Sequence, residues 1–281
     1  MKNPTSTNSA ERDSNELLLS LRVSVAYGKK PVLRDVNLDL HRGEVLGLVG
    51  QSGSGKSTLA MAILGLLDRK RSLVEGSILL DGVDLLKLRE RELRDLRGRK
   101  LALVLQSPQS SLNPALRIQT QLRETWRAHA RGSEDDCDRA IRLALENVSL
   151  PSSDEFLRKY PSQMSVGQAQ RVLIAMATIH RPALLIADEA TSALDVITQS
   201  EILALFRELN RNSGMALLYI SHDLASVAGI CDRVAILHEG SIVELGSAEE
   251  VLTRPHHEYT QRLIAAMPKM PQKPVGKAAA V

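Results

Sequence analysis

The stretch "GQSGSGKST", Gly50 to Thr58, decides the fold of this chain. Its first eight residues match the phosphate-loop pattern G-x-x-x-x-G-K-[ST], between the apolar run "EVLGLVG" and the helical pattern "STLAMAILGLL". Glycines let backbone N–H groups wrap a phosphate chain, and the start of the following helix adds a favourable dipole. A Gly-Ser turn with a chance lysine is the alternative, but the flanking strand and helix patterns favour a phosphate loop.

The loop predicts a nucleoside-triphosphate site that also binds Mg²⁺. Lys56 should reach the β- and γ-phosphates, and Ser57 should be a ligand of the metal. The nucleotide-binding residues predicted here are Gly50, Gln51, Ser52, Gly53, Ser54, Gly55, Lys56, Ser57 and Thr58.

A second motif, which is acidic, lies at the end of a buried strand pattern in "ALLIADE", Ala183 to Glu189. Ligands gather at the carboxyl ends of strands in α/β sheets, so Asp188 is predicted to hold Mg²⁺ directly or through water. Glu189 would then face the water that attacks the γ-phosphate. Many core strands end in an acid, so this motif gains its meaning from the phosphate loop in the same chain.

The order of apolar patterns predicts an α/β fold. Alternating runs at 17–28 and 31–40 are typical of half-buried strands, whereas "LALVLQ", "LLIADE" and "ALLYIS" are short apolar runs of buried parallel strands. Helical stripes lie between them, as in "SEILALFRELN". From about Gln106 to Gln163 the pattern is helical without strands. We therefore expect a P-loop NTPase core with an N-terminal antiparallel β subdomain and an inserted helical subdomain.

Composition excludes several classes of protein. The 281 residues carry 36 Lys and Arg against 33 Asp and Glu, which gives no basic stripe for nucleic acid, and the run "KLRERELRDLRGRK" is interpreted as a solvated helix face. The two cysteines form no metal or disulfide pattern, which favours a reducing compartment. The polar start shows no secretory signal, and no apolar run approaches the ~18 residues of a membrane span. A membrane function would need a membrane partner.

The stretch "MSVGQAQR", Met164 to Arg171, suggests a second anion site far from the phosphate loop. Ser165 is by itself a simple helix N-cap. However, the order of motifs from Leu17 to about Pro268 resembles the nucleotide-binding subunits of ABC transporters, whose signature is commonly LSGGQ followed by QRV. In that family two subunits pair head to tail, and each signature covers the ATP of its partner. The resemblance implies that Ser165, Gly167 and Gln168 act on a second subunit's nucleotide.

The same resemblance assigns roles to four further residues. Tyr27 matches the aromatic residue that stacks on adenine, although a plain strand tyrosine is the alternative. Gln106 matches the glutamine that touches Mg²⁺ and the attacking water and begins the segment that contacts the membrane partner. Asp195 ends "SALD", which matches the loop that crosses the dimer interface. His222 matches the histidine that contacts the γ-phosphate, so Glu189, His222 and Gln106 are the predicted catalytic residues.

Two positions depart from the family pattern. Val166 stands where the first signature glycine is usual, and Ala190 follows Glu189 where proline is common. Valine fits if φ at position 166 is negative and is strained if φ is positive. The departures leave open whether this composite site is a strong one.

Two stretches indicate a subgroup. "SSLNP", Ser110 to Pro114, and "RPHHEYTQRLIAAMP", Arg254 to Pro268, resemble ATPase subunits that drive import of oligopeptides, dipeptides and nickel complexes. Those subunits work with membrane permease subunits, a second ATPase subunit and an extracytoplasmic binding protein, at the cytoplasmic face of the membrane. Many carry a Cys-rich C-terminal extension; the chain lacks those cysteines, so no iron–sulfur cluster is expected. An exporter ATPase and a soluble ATPase of cofactor assembly remain alternatives.

The predicted division of the chain follows from these motifs. Residues 1–16 are expected to be disordered, residues 17–254 to form the nucleotide-binding domain with a helical subdomain at about 107–180, and residues 255–281 to form the importer-type segment and a flexible tail.

Overall fold

The computed structural model of the protein describes residues 16–266. The disorder predicted for residues 1–15 and for the tail from Pro268 lies outside the described residues. The strands are β1 (Leu17–Tyr27), β2 (Lys30–His41), β3 (Val45–Val49), β4 (Ser72–Leu80), β5 (Val83–Asp84), β6 (Leu101–Val104), β7 (Leu184–Asp188), β8 (Ala216–Ser221), β9 (Arg233–His238) and β10 (Ser241–Ser247).

The helices occupy the connections between the strands. They are α1 (Lys56–Ile63), α2 (Glu90–Leu96), α3 (Pro108–Ser111), α4 (Ile118–Arg127), α5 (Glu134–Asn147), α6 (Asp154–Leu157), α7 (Val166–Thr178), α8 (Val196–Ser213), α9 (Leu224–Ile230), α10 (Ala248–Thr253) and α11 (Glu258–Ala265). Short 3₁₀ turns lie at Leu85–Lys87 and Pro161–Gln163.

The strands form two sheets, as the sequence predicts. A four-stranded antiparallel sheet has the order β2-β1-β4-β5, and a six-stranded sheet has the order β10-β9-β3-β8-β7-β6. All pairs of the second sheet are parallel except the β9–β10 hairpin. Helices α3 to α7 lie in the chain between β6 and β7, which confirms the predicted helical insertion.

Both faces of the six-stranded sheet are covered, which is why its central strands are apolar up to their carboxyl ends. In β3, Leu46 and Leu48 pack toward the antiparallel sheet, whereas Val45 and Val49 belong to the cluster formed with the helices. Successive side chains of a strand point to opposite faces, so a strand buried on both sides is mostly apolar and does not alternate with polar residues. The predicted apolar stripe of α8 packs in the same cluster as Val45 and Val49. Its residues are Ile202, Leu205, Phe206 and Leu209.

The β9–β10 hairpin has no counterpart among the predicted strands. The loop residues Glu239 and Gly240 both have positive φ, 46° and 82°. This geometry is typical of a two-residue hairpin loop, and an X-Gly pair between two apolar runs is its sequence signal.

Candidate nucleotide-binding site

The phosphate loop lies between β3 and α1, as predicted. Gly50 has no room for a side chain, because a Cβ there would lie 2.2 Å from the carbonyl oxygen of Leu237. Gly55 caps α1 with φ of 109°, a conformation that a residue with a Cβ rarely adopts. The buried residues of the loop are Ser54 to Lys56, and Thr58 is half-buried. The exposed residues are Gln51, Ser52, Gly53 and Ser57. The loop thus presents one edge to solvent and rests on the core with the other.

Lys56 is held by the loop itself. Its Nζ donates to the carbonyl oxygens of Gly50, at 2.7 Å, and Gln51, at 3.1 Å. Glu189 Oε1 lies 3.8 Å from the same amine. Burial lowers the pKa of Lys56, and the carboxylates of Glu189 and Asp188 act in the opposite direction. The amine is therefore positioned at the mouth of the loop without a close ion pair.

Strand β7 delivers the two acids to the carboxyl edge of the sheet. Asp188 is buried, and its Oδ1 accepts no hydrogen bond from the described residues. Burial raises the pKa of Asp188, and the neighbouring Ser57 hydroxyl partly offsets this. A buried carboxylate oxygen without a donor, beside a serine hydroxyl, suits a hard cation such as Mg²⁺.

Glu189, just after β7, contacts the predicted catalytic residue His222, just after β8. Its backbone has φ of 49°, and its N–H donates to the carbonyl of Ile220 at the end of β8. The carboxylate Oε1 lies 3.4 Å from Nδ1 of His222. His222 is exposed, and the following Asp223 caps α9. Glu189, Lys56 and His222 thus meet at one place.

A shallow cavity of about 170 Å³ marks this place. Its wall includes Val32 of β2, a residue that the sequence did not single out. The remaining lining residues are Ser52, Gly53, Gly55, Lys56, Ser57, Thr58 and Glu189. Val32 comes near the loop through the packing of the antiparallel sheet on the core, which no local sequence signal announces.

Tyr27 and Gln106 do not line the cavity. Tyr27 ends β1 with 40% of its surface exposed, and Gln106 is exposed just beyond β6. Neither side chain makes a hydrogen bond to the described residues that form the cavity. Both predicted roles stay predictions.

The stretch around Ser165 begins α7 and forms a second concavity. Ser165 Oγ accepts from the N–H of Gln168, and Gln168 Oε1 accepts from the N–H of Ser165, both at 3.2 Å. Position 166 is not among the residues with positive φ, so Val166 is not strained there. Gly167 allows α7 and α8 to approach, because a Cβ would lie 2.8 Å from Thr198 Cγ2.

This concavity has a volume of about 370 Å³ and is also lined by the loop before α8. Asp195 caps α8, accepting from the N–H groups of Ile197 and Thr198 and from the Thr198 hydroxyl. The concavity has no lining residue in common with the cavity at the phosphate loop.

The fold and this site define a P-loop nucleotide-binding protein with a helical insertion. A family model described as "ABC transporter" matches residues 33–192. The chain belongs to the ABC transporter family.

The chain is similar to proteins that are named as ATP-binding proteins of importers or transporters. The oligopeptide transport ATP-binding protein OppD of Salmonella typhimurium is 42% identical over 253 residues, 89% of this chain and 75% of OppD. The glutathione import ATP-binding protein GsiA of Salmonella choleraesuis is 39% identical over 272 residues, 93% of this chain. The chain spans 44% of the length of GsiA.

Two solved structures extend the comparison. The structure of cbiO1 from Clostridium perfringens, described as part of the ABC transporter complex cbiONQ, aligns with a TM-score of 0.74 and 27% identity, covering 85% of this chain and 92% of cbiO1. The ATP-binding cassette MJ0796, described as dimeric and bound to ADP and Pi after hydrolysis, aligns with a TM-score of 0.71 and 27% identity, covering 82% and 99% of the two chains.

Proposed function

We propose that this chain hydrolyses ATP to power an importer of small peptides. The observation that carries the hydrolysis is the meeting of Lys56, Glu189 and His222 at the mouth of the phosphate loop. A cation for the phosphates, a carboxylate for the attacking water and a polar contact for the γ-phosphate are the parts that phosphoryl transfer to water needs.

The phosphate loop binds the triphosphate. Lys56 leaves the carbonyls of Gly50 and Gln51 and reaches the β- and γ-phosphates, while the backbone N–H groups of the loop surround them. Ser57, Asp188 and Gln106 would hold Mg²⁺, which would supply positive charge next to the phosphate oxygens. The unpartnered Oδ1 of Asp188 supports this assignment.

Glu189 orients and deprotonates the water that attacks the γ-phosphate. The carboxylate is only 23% exposed, so few solvent molecules compete for it. Nδ1 of His222, at 3.4 Å, limits where the carboxylate points. His222 itself is exposed and is free to contact the γ-phosphate. Tyr27 stacks on the adenine ring from the exposed end of β1.

The concavity at the start of α7 acts on a second ATPase subunit. The Ser165 cap leaves the first N–H groups of α7 pointing out of the helix, where an anion is favoured. Because this concavity is separate from the phosphate-loop cavity of the same chain, a partner must bring the anion. The dimeric state described for MJ0796 supports a paired arrangement.

The cargo assignment is supported by the names of the relatives and by two stretches of sequence. OppD and GsiA are described as oligopeptide and glutathione import proteins, and both cargoes are peptides. The stretches 110–114 and 254–268 resemble the same subgroup. Within residues 16–266, no helix has the length and apolar character to cross a bilayer.

By its resemblance to importer ATPase subunits, the chain works with other subunits in transport. The chain lies at the cytoplasmic face of the membrane and contacts permease subunits through the segment that begins at Gln106. A binding protein outside delivers the peptide to the permease. The cassette extends over 17–254, with its helical subdomain at about 107–180.

The glutamine variant Glu189→Gln tests hydrolysis. It keeps the shape of the side chain and removes the base, so turnover should fall at least ~100-fold while ATP still binds. Glu75→Gln on exposed β4 is the matched control and should hydrolyse ATP like the wild type. Undiminished turnover by a folded Glu189→Gln protein would contradict the role.

Recovery of the complex tests the transport function. The tagged chain, purified in mild detergent from membranes of its native cells, should bring permease subunits with it, and deleting its gene should abolish uptake of small peptides. A tagged chain recovered without integral membrane proteins, in cells with normal peptide uptake, argues for another ATPase function.

A further inference from the structure

The described part of the stretch that begins at Arg254 has a contact with the phosphate loop that its sequence does not predict. The turn before α11 is fixed to β10, because the Glu244 carboxylate accepts the backbone N–H groups of His256, at 2.8 Å, and His257, at 3.2 Å. His257 Nδ1 then accepts the N–H of Tyr259 and so caps α11, which begins at Glu258. These bonds determine where the side chain of Tyr259 lies.

Tyr259 reaches from this helix to the phosphate loop. Only 4% of its surface is exposed, and its ring stacks on that of His238, with centroids 3.7 Å apart and an angle of 19° between the planes. Its hydroxyl oxygen accepts the N–H of Gln51 at 3.2 Å. The two residues are 208 positions apart in the chain, so the fold alone brings them together.

The peptide groups of Gln51 are therefore held from two directions. The N–H donates to Tyr259, and the carbonyl oxygen accepts from Lys56 Nζ and from the N–H of Ser54, both at 3.1 Å. When Lys56 moves to the phosphates it leaves that carbonyl. The Ser54 bond lies within the loop, whereas the hydroxyl of Tyr259 ties the entry of the loop to α11. A loop fixed before the ligand arrives loses less conformational entropy on binding.

We propose that Tyr259 is a positioning residue for the phosphate loop. Through this residue, α11 affects the affinity of the loop for nucleotide. The inference rests on the proposed function of the loop. Tyr259 touches no reacting atom, so its hydroxyl acts on binding of ATP and not on the chemical step at saturation.

The variant Tyr259→Phe isolates the hydroxyl, because the ring and its stacking on His238 remain. Losing one hydrogen bond of ordinary strength should raise the Kd for the fluorescent nucleotide mant-ATP by about 3- to 10-fold, with kcat at saturating MgATP within about twofold of the wild type. Tyr160→Phe is the control, since among residues 16–266 the hydroxyl of Tyr160 accepts only from Arg117 in the helical subdomain. It should leave the Kd unchanged.

Hydrogen–deuterium exchange reports the contact without any nucleotide. The amide of Gln51 should exchange about threefold faster or more in Tyr259→Phe, whose thermal melt shows that it is folded, and at the wild-type rate in Tyr160→Phe. Unchanged exchange at Gln51 together with an unchanged Kd overturns the proposal. A wild-type protein that binds no mant-ATP contradicts the proposed function instead, and the exchange difference still tests whether Tyr259 restrains the loop.

Discussion

At the scale of single residues, Asp188 is placed for a ligand and not for the stability of the fold. Its carboxylate is buried, one oxygen has no donor among the described residues, and burial raises its pKa. A group whose pKa is raised in the folded state contributes stability that is fully present below the unfolded pKa and is lost as the pH rises through the folded pKa. Above that pH the ionised carboxylate opposes folding.

The variant Asp188→Asn should relieve this cost. The nucleotide-free protein should melt a few degrees higher, by about 2–4 °C for each kcal/mol regained, whereas the added stability from MgATP should disappear. Asp135→Asn, in the exposed first turn of α5, is the control for removing one carboxylate. Thermal melts with and without MgATP measure both effects, and a lower melting temperature for Asp188→Asn is the contrary result.

Val166 gives a second test at this scale. Because φ at position 166 is not positive, the valine stores no strain that glycine could release. Glycine at the first position of α7 would instead lower helix stability by about 0.5–1 kcal/mol. Val166→Gly should therefore melt about 1–3 °C lower with no gain in ATP hydrolysis. A faster enzyme would show that the valine restrains the composite site.

At the scale of elements, the sequence predicts what is local and misses what depends on packing. Strands β3, β7 and β8 are found because both of their faces are buried and each contains a nearly continuous apolar run. The loop from Gly50 is found because its backbone conformations need glycine at fixed spacings. In contrast, Val32 and Tyr259 reach the loop only after the antiparallel sheet and α11 pack on the core.

Buried hydroxyl groups connect the ends of β7 and β8, next to the proposed catalytic residues Glu189 and His222. Tyr219 of β8 is fully buried, and its hydroxyl lies 2.9 Å from that of Thr191, just after Glu189, and 3.3 Å from that of Ser226 in α9. Ser226 also meets Ser221, whose hydroxyl accepts the N–H of Asp223 beside His222. The network thus connects the backbone segments of Glu189 and His222.

Removing the central hydroxyl should loosen both segments. In Tyr219→Phe the Thr191 hydroxyl stays buried without this partner, which should cost about 1–3 kcal/mol in the free energy of unfolding. Turnover should fall as well, because Glu189 and His222 lose part of their fixed geometry. Urea denaturation and steady-state hydrolysis measure the two effects, with Tyr160→Phe as the control. Wild-type stability would show that Thr191 finds another partner.

At the scale of the whole molecule, the two proposed anion sites of one chain are separate concavities. The phosphate-loop cavity and the concavity at Ser165 share no lining residue. Beside the second concavity, at the start of α8, the adjacent apolar side chains of Val196 and Ile197 are 81% and 75% exposed. Contiguous apolar surface of this kind is typical of interaction sites. Both facts are explained if the surface is covered by a second ATPase subunit.

Mixing lesions tests whether the signature works in trans. Lys56→Ala removes the charge for the phosphates, and Ser165→Arg places a bulky cation at the start of α7. In an isolated mixed dimer with one lesion on each chain, head-to-tail pairing gives one site with both lesions and one with neither, so one trapped ATP and some hydrolysis should return.

The same two lesions in another arrangement provide the control. When a chain carrying both Lys56→Ala and Ser165→Arg is paired with a wild-type chain, trans action damages each site once, and activity should be absent. If the signature acted in cis, the wild-type chain of this second dimer would be intact and active, and the first dimer would be dead. The two arrangements therefore give opposite results under the two hypotheses. Two different affinity tags isolate the mixed dimers. If the natural partner is a different subunit, Ser165→Arg belongs on this chain, and loss of trapped nucleotide should appear at the partner's phosphate loop.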